Sequence, residues 1–121
     1  MTPTDVVEVI ATGPPEEMER IAEQLVTDAI IACVHYTDIR STYWWQGQIE
    51  HARETRAAMH TTTARVAEVK TRIADAHPFA VACTLVTPTT DGNPDYLDWV
   101  RNSVATCPSD PARAKAQPQP Q

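Results

Sequence analysis

The stretch STYWWQGQIE, residues 41–50, predicts a β-hairpin around which the rest of the chain is organised. Its first half is rich in β-branched and aromatic residues, which favour strands. The segment QGQ, residues 46–48, supplies the turn between the two strands. Helical propensity alone would favour a helix over residues 52–59, ARETRAAM, but the preceding turn and β-rich partner favour a strand. Residues 31–45 and 48–62 are therefore predicted to pair.

Apolar periodicity on either side of the hairpin predicts a β-α-β-β-α-β-α order. Two right-handed β-α-β crossovers then give a four-stranded antiparallel sheet with helices on one face. This is an α+β, ferredoxin-like sandwich with an extra C-terminal helix and a long hairpin. The flanking elements are strands over residues 6–12 and 79–87, a helix beginning at Pro15, a helix over 63–76 capped by Thr62 or Thr63, and a helix capped by Asn93.

The chain of 121 residues is predicted to hold one domain, residues 1–107, and a tail, residues 108–121. The tail, PSDPARAKAQPQPQ, contains no Val, Ile, Leu, Met or aromatic residue. It is expected to be disordered because it buries too little apolar surface to offset the entropy of ordering it.

Charge and composition exclude several classes of partner. A net charge of −6 argues against nucleic acid, since phosphate recognition needs a basic face. Apolar runs are too short to cross a bilayer, and the N-terminal residues show no signal peptide. Three cysteines without a regular framework favour a reducing compartment. We therefore expect a cytoplasmic protein without membrane or nucleic-acid partners.

The length of the hairpin predicts an oligomer. A strand of 15 residues is about 50 Å long, whereas a helix of 14 residues reaches only about 21 Å. The helices therefore cannot cover the far end of the hairpin, where Tyr43, Trp44 and Trp45 lie. Exposed strand edges that carry large aromatic side chains associate with other chains. We expect these three residues to form an interface between copies of the chain.

His77 and Cys83, in HPFAVAC, are the candidate metal ligands. Their spacing matches no standard zinc motif, and the alternative is structural: His77 would end the second helix and Cys83 would be an ordinary strand residue. Cys33 and His35 share one strand face and could chelate, or could simply pack in the core. The acidic residues Asp91, Asp95 and Asp98 are better explained as helix-terminal and surface charges than as metal ligands.

Motifs typical of hydrolases and nucleotide-binding enzymes are absent from the sequence. It contains no HExxH motif and no glycine-rich phosphate loop. We therefore do not expect an enzyme.

Five segments together resemble the CutA divalent-ion tolerance proteins: ACV at 32–34, STYWWQGQIE at 41–50, HTT at 60–62, HPF at 77–79 and GNPDYLDWV at 92–100. The resemblance spans about residues 6–104. It implies a homotrimer of ferredoxin-like subunits, architecturally similar to PII signalling proteins, with hairpins that cross between subunits. It also implies a role in tolerance of copper and other divalent cations.

Departures from the family pattern affect its metal site. Phe79, Ala82 and Cys83 stand where the family commonly has tyrosine, proline and glutamate, Ala11 where some members have cysteine, and His60 where lysine is frequent. No cofactor is certain, and imidazole with thiolate would favour Cu or Zn over Mg or Ca.

Two functions stay open: cation tolerance through weak metal binding between subunits, or a PII-like module that binds a small ligand and a protein partner.

Overall fold

The computed structural model describes residues 4–105 and has the predicted α+β, ferredoxin-like order. The predicted tail, residues 108–121, lies outside the described residues. In the described part, no helix is long and apolar enough to span a membrane. The elements are β1 Val6–Gly13, α1 Pro15–Thr27, β2 Cys33–Trp45, β3 Gln48–Thr62, α2 Val66–Ala76 after a 3₁₀ turn at Thr63–Arg65, β4 Cys83–Pro88 and α3 Pro94–Ala105.

The sheet is antiparallel with strand order β2-β3-β1-β4. Strand β3 pairs with β2 from Gln48 to His60, but its pairing with β1 begins only at Thr55, opposite Gly13. Residues 39–54 are therefore a two-stranded ribbon that extends beyond β1. Because β1 and β4 end before this ribbon, no other strand among residues 4–105 lies beside it.

The hairpin closes with a two-residue turn at Gln46 and Gly47. Both have positive φ, 50° and 79°, as a type I′ turn requires. Trp45 and Gln48 pair directly across this turn. The turn fixes the register, so alternate side chains of β2 and β3 lie on defined faces of the sheet.

Two clusters of buried residues lie on opposite faces of the sheet, which differs from the prediction of helices on one face. Helices α1 and α2 pack on the face that carries Val7, Val9 and Met59. Helix α3 packs on the other face, against Val6 and Ala32. The alternation of neighbouring β1 residues between the clusters follows from the two-residue period of a strand. The C-terminal helix α3 thus covers a second, smaller hydrophobic core.

Two local features differ from the sequence prediction and one agrees with it. Strand β4 begins at Cys83 instead of Phe79, because β1 offers no partner beyond the Thr12–Cys83 pair. Thr62 makes no side-chain cap on the turn that precedes α2. Asn93 does cap α3, since its Oδ1 accepts a hydrogen bond of 3.1 Å from the backbone N–H of Asp95.

Candidate functional site

A cavity of about 700 Å³ lies between the two-stranded ribbon and the loop that precedes β4. Its walls include Tyr43, Trp44 and Trp45 from β2, and Phe79 and Cys83 from the loop and β4. The aromatic residues are only partly covered by the chain: Trp44 is 72% exposed and Trp45 is 40% exposed. Glu54 adds a carboxylate to the wall and is itself only 5% exposed. The cavity therefore combines an open apolar wall with one buried acid.

His77 is buried beside this cavity, and both of its ring nitrogens are engaged. Its Nε2–H donates to the carbonyl oxygen of Thr12 at 2.8 Å, and its Nδ1 accepts the backbone N–H of Phe79 at 3.1 Å. These two bonds tie the end of α2 and the following loop to the end of β1. The arrangement accounts for His77 as a structural residue, and a metal would have to replace one of the two bonds.

Cys83 is exposed and lines the cavity. It pairs with Thr12 in the β1–β4 ladder, and Thr12 is also the residue whose carbonyl His77 contacts. The fold thus brings the two sequence-predicted ligands to the same short segment of β1. Their role as a metal pair stays a prediction.

Gly13, at the end of β1, lies so close to His77 that the contact between them has no room for an added methyl group. A Cβ at position 13 would lie 2.6 Å from His77 Nε2 and 3.1 Å from Met18 Sδ. Gly13→Ala is therefore expected to lower the free energy of unfolding by about 1–3 kcal/mol, the usual range for overpacking. Chemical denaturation measures this change. Gly92→Ala is the control, since its nearest contact is a flexible Leu97 methyl at 3.3 Å, and equal effects of the two substitutions would contradict the account.

A second cluster of polar side chains lies on the face covered by α3. Cys33 and His60 are direct partners across β2 and β3, and Glu8 is the partner of His60 on β1. His35 follows Cys33 by two residues and therefore lies on the same face. Tyr96 reaches the cluster from α3.

Short contacts connect these side chains. The Sγ of Cys33 lies 3.6 Å from His60 Nδ1 and 3.2 Å from the hydroxyl of Tyr96, which also contacts His60 Nδ1 closely. On the other side of the ring, His60 Nε2 lies 2.9 Å from a carboxylate oxygen of Glu8. The ring of His35 meets that of His60 edge-on, with centroids 5.3 Å apart. The ligand atoms of Cys33, His35 and His60 all lie within 4.8 Å of one another.

The surroundings of His60 favour its protonated form. The hydrogen bond to Cys33 and, after it, the contact with Glu8 outweigh burial and raise the pKa of His60 to about 9. Burial, together with the contact to Cys33, raises the pKa of Tyr96 above its ordinary value, so its hydroxyl stays protonated. At neutral pH the imidazolium can donate through Nε2–H to Glu8, while the Tyr96 hydroxyl donates to the sulfur of Cys33.

This raised pKa predicts how stability depends on pH. The folded-state pKa of His60 lies above the ordinary value of 6.5. His60 therefore stabilises the folded state fully below pH 6.5, and this stabilisation is lost as pH rises to about 9. Denaturant titrations at several pH values should show this loss in the wild type and not in His60→Gln. Cys33→Ser should move the loss to lower pH, because the Cys33 contact is the largest cause of the shift. An unchanged pH profile in His60→Gln would contradict the assignment.

Sequence reasoning recognised Cys33 and His35 as a possible chelating pair but missed His60, Glu8 and Tyr96. Positions 8, 60 and 96 are far apart along the chain: the pairing of β1 with β3 brings Glu8 to His60, and the packing of α3 brings Tyr96. The single available signal was His60 in place of the family lysine.

The acidic residues near α3 make contacts with their neighbours in sequence. Asp91 accepts the N–H of Gly92, and Asp98 pairs with Arg101.

Comparison with known proteins gives one consistent family. The model of the CutA1 divalent ion tolerance protein family matches residues 6–103. A divalent-cation tolerance protein CutA from Archaeoglobus fulgidus is 35% identical over 97 residues, which cover 79% of this chain and 95% of that protein. The CutA of Thermus thermophilus is 36% identical over 97 residues, covering 78% and 94%.

Solved structures agree with these sequence matches. The A. fulgidus CutA structure has a TM-score of 0.80 at 33% identity and covers 82% of this chain and 98% of its own. A structure described as a PII-like protein CutA from Nostoc sp. PCC 7120 has a TM-score of 0.78 at 29% identity, covering 81% and 96%. The ferredoxin-like fold expected from the sequence is confirmed.

One of these structures contradicts the expected location. The A. fulgidus protein is described as a periplasmic divalent cation tolerance protein, so the prediction of a cytoplasmic protein is wrong as an inference from this sequence. That prediction used the number of cysteines as its main argument. Cys33 and Cys83 are free thiols, one set among ring side chains and one on the cavity wall. Free thiols held apart by the fold do not require a reducing compartment.

Proposed function

This chain belongs to the CutA1 divalent ion tolerance protein family, and we propose that it acts as a homotrimer in tolerance of, or response to, divalent cations such as copper. The role is one of binding, without catalysis. The observation that carries the proposal is the aromatic end of the hairpin, which extends past the rest of the chain and leaves large apolar side chains exposed.

Several of the exposed large apolar residues lie around the cavity. Trp44, Trp45 and Ile49 lie at the hairpin end, and Phe79 and Val81 lie in the loop across the cavity, each at least 40% exposed. Leu85 and Val86 on the edge strand β4 are also exposed. A cavity and a protruding ribbon on the same chain suit a head-to-tail contact, in which the ribbon of one copy covers the cavity of the next. Repetition of such a heterologous contact closes a ring when the rotation between copies allows it, and the family resemblance supports a ring of three.

Truncation of Trp45 tests the assembly. Trp45→Ala should weaken or abolish the trimer and lower its melting temperature, because a central aromatic residue is removed from the proposed interface. For the wild type, melting temperature should rise with protein concentration, since dissociation accompanies unfolding. Tyr36→Ala is the control: Tyr36 is also partly exposed on β2 (42%), but it lies near α1. A Trp45→Ala protein that assembles and melts like the wild type would refute the interface.

His77 and Cys83 are the ligands that this proposal takes from the sequence. They border the same segment of β1 at the cavity, so a cation bound there would lie at the edge of the proposed subunit interface. Binding should be modest, because His77 must give up its contact with Thr12 or Phe79. A site shared between subunits is one way in which a trimer could supply the remaining ligands.

Growth under metal stress tests the biological role. A host that lacks its own family member should tolerate a higher Cu(II) concentration when it produces the wild-type chain. The Trp45→Ala chain should protect less at equal soluble amount, because it does not assemble. Growth curves across a series of Cu(II) and Zn(II) concentrations measure this, with Mg(II) as the control ion. Equal tolerance with and without the chain would contradict the proposed role.

The cavity also favours a second candidate function, a PII-like signalling module that binds a small ligand. A volume of about 700 Å³ with four aromatic residues and one carboxylate fits a ligand with a flat ring and a positive charge. One solved relative is described as a PII-like protein. A ligand in this cavity would change the fluorescence of Trp45, whereas cation binding at the α3 face would leave it unaltered.

A further inference from the structure

We propose that Cys33, His35 and His60 form a binding site for one thiophilic transition-metal cation, of the Zn(II) or Cu(I) class, on the face covered by α3. The site is distinct from the pair His77 and Cys83 at the cavity. It deepens the proposed function and rests on it for its biological role, whereas the existence of the site rests on the geometry alone.

The register of the hairpin brings the three donors together. Cys33 and His60 are direct partners on adjacent strands, where side chains on one face are about 5 Å apart at Cβ. His35 pairs with Ala58, two residues before His60, so it is the diagonal neighbour of His60 on the same face. Because both strands belong to one hairpin with a two-residue turn, this arrangement is held rigidly. Rigid secondary structure is the better support for a metal site than a loop.

The donor distances fit tetrahedral coordination. Bonds of about 2.3 Å to sulfur and 2.0 Å to nitrogen, at a tetrahedral angle, place the two ligand atoms about 3.5 Å apart. Cys33 Sγ and His60 Nδ1 are 3.6 Å apart. All three ligand atoms lie within 4.8 Å, so His35 needs only a small rotation of its exposed side chain to join them. The cluster is thus close to the geometry that the cation would require.

Glu8 supplies the outer support that metal-bound histidines commonly have. Its carboxylate lies 2.9 Å from His60 Nε2, the nitrogen that faces away from Cys33. A carboxylate on one ring nitrogen directs the lone pair of the other toward the metal and increases its basicity. In His60 that other nitrogen is Nδ1, which already faces the sulfur. Glu8 therefore keeps a proton on Nε2, and a cation that binds Nδ1 displaces the second proton of the imidazolium.

Tyr96 and His35 control access to the site. The Tyr96 hydroxyl contacts His60 Nδ1 and lies 3.2 Å from the Cys33 sulfur, and it would move away from Nδ1 when a metal binds. Tyr96 stacks on Trp99 in α3, which holds its ring in place. On the opposite side, His35 is exposed, so a cation can enter from solvent. Three protein ligands leave a fourth position for water or an exchanging ligand.

The donor set determines the class of cation. One thiolate and two imidazoles favour Zn(II), Cu(I) or Co(II), whereas Mg(II) and Ca(II) require oxygen ligands. The cavity pair offers one imidazole with both nitrogens already bonded and one exposed thiol. The α3-face cluster therefore has more donors, closer together, and should bind the cation more tightly than His77 and Cys83.

Co(II) titration of the full chain, followed by absorption spectroscopy, tests this assignment. Co(II) serves as the probe because thiolate ligation gives charge-transfer bands and tetrahedral geometry gives intense ligand-field bands. Both sets of bands should appear at one Co(II) per chain and should be displaced by Zn(II). Cys33→Ser should abolish the charge-transfer bands, and Cys83→Ser, the matched cysteine control, should retain them.

Histidine variants complete the test. His35→Gln should weaken Co(II) affinity at least about 100-fold, whereas His51→Gln, a histidine far along the hairpin, should leave it unchanged. Glu8→Gln should weaken affinity by about 10–100-fold, as loss of an outer partner does elsewhere. His35 is exposed, so its substitution does not threaten folding, and metal-free melting curves of every variant verify this.

The outcomes of these experiments distinguish failure of the site assignment from failure of the proposed function. Charge-transfer bands that survive Cys33→Ser but vanish in Cys83→Ser would overturn the α3-face assignment and leave cation tolerance through the cavity pair intact. Absence of Co(II) and Zn(II) binding in the wild type would overturn the assignment as well. The growth assay compares cells with and without the chain and does not identify which residues bind the cation, so it tests the proposed function separately.

Discussion

The pairing of β3 with two partners of unequal length is the constraint on which the rest of the structure depends. Strand β3 has 15 residues, but β1 has only eight and meets β3 from Thr55 onward. One end of the hairpin therefore belongs to a four-stranded sheet with helices on both faces, and the other end is a bare ribbon. The covered end carries the polar cluster beneath α3. The bare end carries the aromatic residues and one wall of the cavity.

The same constraint explains why the two candidate metal sites differ in quality. Where β1 stops at Gly13, β4 has no partner before Cys83, and the chain from Pro78 to Ala82 becomes a loop. Cys83 begins β4 and His77 follows the end of α2, so this loop separates the two residues. The cluster of Cys33, His35 and His60 is positioned by paired strands instead. A ligand set on paired strands is more precisely placed, which is the physical reason for assigning the tighter site to the α3 face.

Sequence patterns predicted the elements and their order because local signals were strong. Alternation in residues 55–61 and the Gln46–Gly47 turn predicted the hairpin, and Asn93 predicted the start of α3. The placement of α3 on the second face could not be predicted, since it depends on which apolar positions of β1 remain uncovered by α1 and α2. The contact between His60 and Glu8 likewise depends on register across three strands. The family resemblance predicted the fold but could not predict the contact between His60 and Glu8, because His60 departs from the family pattern.

The central claim is that the bare ribbon is buried by other copies of the chain, and the mass of the protein in solution tests it most directly. Sedimentation equilibrium at micromolar concentration should give a mass three times the 13.4 kDa of one chain, without a detectable monomer. A stable, soluble monomer at that concentration would leave Tyr43, Trp44 and Trp45 in water and would contradict the account.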